Sequence, residues 1–167
     1  GLDEEKTRIQ DEIENIKKSL HTFDDDINRE KGIIIDANSN EKRLKEEKKE
    51  LIEIDSKYYE TEKHSNEDLD GAKNRLDLEI DKVKELINLQ KNQEAISVLD
   101  KCKVIIEEYA DSYSKNQNIK KESIKRNERI NIIDKEIESW KNLLLNSEKM
   151  VTELSDRKNK LNLQLER

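Results

Sequence analysis

Apolar residues recur along this chain at steps of three, four and seven, and nearly everything between them is charged or amide. The first run is Leu2, Ile9, Ile13, Ile16, Leu20, Phe23 and Ile27, continued by Ile34, Ala37, Leu44, Leu51, Ile54 and Tyr58 and resumed by Leu69, Ala72, Leu76, Ile80, Val83 and Ile87. A step of four followed by another four, Ala72 to Leu76 to Ile80, predicts a local shift of supercoil. The second half reads Ile96, Leu99, Ile106, Tyr113 and Ile124, then Ile130, Ile133, Ile137, Trp140, Leu144, Val151, Leu154, Leu161 and Leu165. This is the heptad pattern of helices that keep one narrow face toward a partner helix.

An uninterrupted helix of about 80 to 90 residues would extend roughly 120 to 135 Å. With a bare apolar stripe it needs a partner. Two seams of similar length in one chain predict an all-α fold, a long antiparallel two-helix coiled-coil hairpin or rod without a globular core. The first helix is expected over 1–90, the reversal within 85–99 and the second helix over 96–167. A turn at 64–71, where Gly71 lies, is the less favoured alternative, because the two helices would then differ in length. A parallel homodimer of one very long helix has the same periodicity, and would make the chain a generic structural or scaffold coiled coil. Three stretches, 33–40, 63–71 and 111–118, are rich in Asn, Ser and Asp, which compete locally with helical backbone, so they read as interruptions or as polar turns of an exposed face.

Composition agrees with that architecture. Charged residues make up 44% of the 167 and hydrophobic ones 32%, with three glycines and no proline. A globular domain usually carries about 45 to 50% apolar residues, so a three-dimensional core is excluded while a buried stripe is not. Net charge is -7 from 33 basic and 40 acidic residues closely intermixed. That is a solvated two-sign surface rather than a nucleic-acid footprint. The stretch 115–129 is the local exception, with Lys115, Lys120, Lys121, Lys125, Arg126 and Arg129 against Glu122 and Glu128. A solvated face is the plain reading, and contact with a DNA backbone the sharper one.

Candidate chemistry is sparse. Gly1, Gly32 and Gly71 lie too far apart for a phosphate-cradling loop, whose amides must converge on a nucleotide. His21 with Asp24, Asp25 and Asp26 can be drawn as a ligand cluster, but consecutive aspartates point in different directions on a helix. Cys102 reads as a small seam residue, with no disulfide partner and no histidine near in sequence to activate it. No catalytic, cofactor-binding or metal residues are therefore assigned, and the chain is not expected to be an enzyme. Trp140 reads as a seam residue whose indole nitrogen reaches the edge of the pair, or as a local docking or bending point where a large side chain breaks the regular packing. Tyr58, Tyr59, Tyr109 and Tyr113 carry the same two readings, seam filler or joint. No apolar run is long enough for a membrane span and no export signal is present. A single cysteine fits a reducing compartment, so a cytoplasmic protein is expected.

Arg126, Arg129, Ile130, Ile133, Glu136, Trp140, Leu154, Arg157 and Leu161 together resemble the C-terminal arm of structural maintenance of chromosomes proteins of alphaproteobacterial type. Residues 2–20, with Asp26-Ile27, Arg29-Glu30 and Arg43-Leu44-Lys45-Glu46-Glu47, are similar to the N-terminal arm of the same family. The ATPase head motifs and the glycine-rich hinge are absent from this sequence. The resemblance implies an arm segment of a chromosome condensation and segregation ATPase, with the two arms joined near 85–99. It implies nucleoid association and, for the full-length family, a homodimer, kleisin-type accessory subunits and DNA as partners. ATP and magnesium are implied only for the missing heads.

Overall fold

The computed structural model describes residues 1–166. Helix α1 spans Leu2–Asn88 and α2 spans Asn92–Glu166, packed against each other without a strand among the described residues. The chain is thus an all-α antiparallel hairpin rather than one continuous helix. It reverses at residues 89–91, inside the expected window, and α2 starts four residues before position 96. Gly71, the alternative turn, lies inside α1. Arg167, the last residue of the expected second helix, lies outside the described residues.

The reversal is a Schellman-type helix end. Lys91 N–H donates to the Leu86 carbonyl at 2.9 Å and Gln90 N–H to the Ile87 carbonyl at 3.0 Å. Gln90 has a φ of 60°, in the left-handed region that glycine normally fills at this position. The Lys91 carbonyl accepts from Ala95 N–H at 3.0 Å, which makes Lys91 the residue that opens α2.

The seam is more regular than the apolar residues alone suggest. In α1 it alternates steps of four and three from Ile16 to Leu86, passing Ile27, Ala37, Leu44, Leu51, Asp55, Tyr58, Ser65, Ala72, Leu76, Glu79 and Val83. Of these and the intervening seam positions, only Tyr58 is exposed. In α2 every seam position from Ala95 to Leu165 is buried or half-buried. The seam expected for the first part of α2 is displaced by one residue. Ile96, Leu99, Ile106 and Tyr113 are 47% to 56% exposed, and the inward positions are Ala95, Val98, Cys102, Ile105, Tyr109, Ser112, Asn116, Ile119 and Ser123. Likewise Ile54, Ile80 and Ile87 yield to Asp55, Glu79 and Leu86. With Glu79 on the seam the four-plus-four step disappears, and so does the reason to expect a supercoil shift there.

Two compact units divide the chain. The terminal unit comprises Gly1–Glu47 with 132–166 and buries Ile27, Ala37, Leu44, Ile133, Ile137, Ser147 and Leu154; Leu44 and Ile133 are fully enclosed. Lys158 pairs here with Asp24. Leu2, Ile9 and Ile13, at the start of α1, are exposed. Trp140 is half-buried on the seam between Ile137 and Leu144.

The turn unit, Lys48–Asn131, buries Ala72, Val83, Ala95, Cys102 and Asn116. The helices run unbroken through 33–40, 63–71 and 111–118, so none of the three stretches is an interruption. They are partly internal: Ala37 is fully buried in the first, and the polar residues of the second and third supply the two sides of one buried hydrogen-bonded layer.

Candidate functional site: a polar layer and the groove beside it

Asn116 is fully enclosed at a seam position of α2. Its Nδ2 donates to Asn66 Oδ1 at 2.7 Å and to Ser65 Oγ at 3.2 Å. Its Oδ1 is buried without a partner among the described residues. An amide in such a place costs stability, since a buried acceptor has given up water for nothing. It also discriminates among registers. Sliding α2 by one turn along α1 would move the amide off Ser65 and Asn66 and leave its donors unmet as well. A single buried Asn specifying register is an established use of polar seam residues.

Farther from the turn a second polar group crosses the pair. The Arg126 guanidinium pairs with Asp55 and lies over the Tyr58 ring, 5.5 Å from its centroid. Its side chain is only 15% exposed. Tyr58, bulky and ringed, therefore lies at the edge of the seam rather than in it, and the helices leave an open groove there. The groove, about 650 Å³, is lined by Leu51, Ile54, Tyr58 and Ile119 with Lys57, Asn118, Glu122 and Arg126. The cation–aromatic contact and the Asp55 pair hold Arg126 across the groove wall.

The cations of the stretch 115–129 divide between the helix pair and the outer face of α2. Arg126 faces α1, Lys115 meets Asp111 at 3.0 Å and Lys125 meets Glu122 at 3.6 Å. Lys120 and Lys121 are exposed on α2.

The remaining candidates sit apart from one another. His21 Nε2 lies 3.6 Å from Asp25 and His64 Nδ1 lies 3.6 Å from Glu67, all well exposed. Among the described residues no group of three or more metal-ligating side chains is present. Cys102 is buried on the seam. Tyr109 and Tyr113 stack on successive turns with centroids 6.3 Å apart. Among the described residues no helix is long and apolar enough to cross a membrane.

The Asn116 layer is hidden from a search for apolar spacing, which marks 63–71 and 111–118 as interruptions or exposed polar turns. The signal that finds it is arithmetic. Once the seam is counted through small and polar residues, Asn116, Ser65 and Asp55 fall on it at the heptad steps. Comparison with family models, with curated proteins and with solved structures finds no match.

Proposed function

We propose that this chain is a mechanical element: an antiparallel helix pair that keeps two stretches of one protein side by side in a single register, as the arm segment of a chromosome-organising ATPase. One observation carries the mechanical part. The heptad alternation runs without a break from Ile16 to Leu86 and from Ala95 to Leu165, and Asn116, fully enclosed on that seam, is hydrogen-bonded across it. A partner helix held this way transmits displacement along its axis instead of absorbing it by slipping. The resemblance of 2–47 and 126–161 to chromosome-maintenance arms supports the setting. In that setting ATP-driven changes at head domains would pass along the pair toward a hinge, and the tight turn at 89–91 would stand where arm meets arm.

The test is force spectroscopy on the full chain with handles at cysteines replacing Asp3 and Glu166, in a Cys102→Ala background. Unzipping should be followed on relaxation by return to one contour length. Re-zipping into several lengths spaced by a helical turn, roughly 5.4 Å, would refute a fixed register. For the setting, the two helices replace an equal length of arm in such an ATPase. Retained chromosome segregation, lost when three residues are deleted from α2 alone, supports the arm reading. Equal function with and without that deletion contradicts it.

A further inference from the structure

We infer that the turn unit pairs with a second copy of itself along one flank, forming a four-helix bundle. In an antiparallel helix pair the positions flanking the seam fall on two sides. One side is marked here by Arg75 and Glu108, each directly before a seam residue, which meet at 3.5 Å. The opposite flank is formed by the positions directly after the seam residues Glu79, Leu86, Val98, Ile105 and Ser112.

Those positions hold Ile80, Ile87, Leu99, Ile106 and Tyr113, and Ile96 lies alongside them. All six are 38% to 56% exposed. The corresponding flank of the terminal unit is polar throughout: Lys17, Asp24, Lys31, Asn38 and Lys45 on α1, and Asp134, Lys141, Glu148, Ser155 and Asn162 on α2. Within one chain, then, the same flank is built in two ways. Helices of a two-stranded pair need apolar residues at two positions of seven, whereas helices of a bundle carry a third, beside the seam. The terminal unit follows the first rule, and the part of the turn unit nearest residues 89–91 follows the second; farther out the flank is polar at Asn66, Lys73, Lys120 and Asn127.

The seam of the turn unit points the same way. Four of its places hold small residues, Ala72, Ala95, Cys102 and Ser112, among larger ones such as Leu76, Leu86 and Ile105, while further large aliphatics stand beside it. The six side chains leave about 600 Å² of mostly apolar surface per copy, taking roughly 200 Å² for each fully exposed large residue. With its polar rim this approaches the roughly 800 Å² that each partner gives to a stable interface. That rim carries both signs, Lys73, Lys84 and Lys103 with Asp77, Asp81, Asp100 and Glu107. A single-sign rim would call for a partner of opposite charge, but a mixed one lets two identical flanks meet across a two-fold axis without net repulsion.

The experiment is light-scattering mass of the full chain at roughly 100 µM, a concentration at which a micromolar dimer is fully formed. We expect about twice 19.8 kDa for the unmodified chain and a mass falling at least halfway to the monomer for Leu99→Lys/Ile106→Lys, with the apparent Kd raised at least ~100-fold. Both residues are half exposed, and far-ultraviolet circular dichroism should report unchanged helicity. Should that variant lose helix, Leu99→Gln/Ile106→Gln carries the same expectation. Ile9→Lys and Ile35→Lys, in the terminal unit, should leave the dimer intact. A monomeric unmodified chain would overturn the proposal. So would a dimer indifferent to the flank variants, or one abolished by Ile9→Lys.

Discussion

Asn116 and Gln90 are both residues in places where another residue would be more stable. Replacing Asn116 by Leu removes a buried oxygen without a partner and adds apolar volume to the seam. Its former partners, Ser65 and Asn66, are half-buried and can turn to water. Stability should therefore rise by about 1 kcal/mol, roughly 2–4 °C in Tm for a chain of this size. At the same time the register loosens: spin labels placed across the turn unit, at Lys63 and Lys115, should give a broadened or multiple distance distribution where the unmodified chain gives one. A Tm gain with a single unchanged distance would show that the aliphatic seam alone fixes register. Gln90→Gly relieves the left-handed backbone at the turn and should stabilise by about 1 kcal/mol in a denaturant titration. Gly71→Ala should do the same through helix propensity, because a Cβ there meets nothing within 4 Å and the position is mid-helix.

At the scale of the element, helix formation and pairing were legible from the sequence, and the inward face was legible only where large aliphatics occupy it. Ile16, Leu20, Phe23 and Ile27 in α1, and Ile133, Ile137, Leu144 and Leu154 in α2, are on the seam as their spacing predicts. Between residues 95 and 124 the expectation slipped by one position, because it followed Ile96, Leu99, Ile106 and Tyr113 by size. Periodicity finds a stripe but does not say which of two neighbouring stripes meets the partner helix. That choice is made cooperatively by the whole helix, through the regular steps on either side. The candidate site was illegible for the same reason, since its residues are the polar members of the seam. The seam assignment predicts a sharp contrast in thermal unfolding. Leu44→Ala, which empties a fully buried position, should cost about 2–4 kcal/mol, while Ile35→Ala, 68% exposed, should cost less than about 0.5 kcal/mol.

For the molecule as a whole, pairing distance in sequence grows steadily away from the turn. Asn116 meets Ser65 across 51 residues and Arg126 meets Asp55 across 71, while Asp24 and Lys158 pair from far along the two helices. Closing a loop costs more entropy the longer it is, so contacts beside residues 89–91 are the cheapest to form first. A strained Gln90 at that spot is therefore a kinetic control as well as a local defect. Folding should begin there and proceed outward, and stopped-flow refolding should separate the two ends. Gln90→Gly is expected to speed folding with little change in the unfolding rate, whereas Leu154→Ala should mainly speed unfolding. The reverse assignment would place the nucleus in the terminal unit. If the turn leads, then Asn116 is reached only after the residues next to the turn have paired, and its amide serves as a checkpoint. A chain that began one helical turn out of step would stall on unmet donors before the longer-range pairs form, and could reopen and start again at little cost.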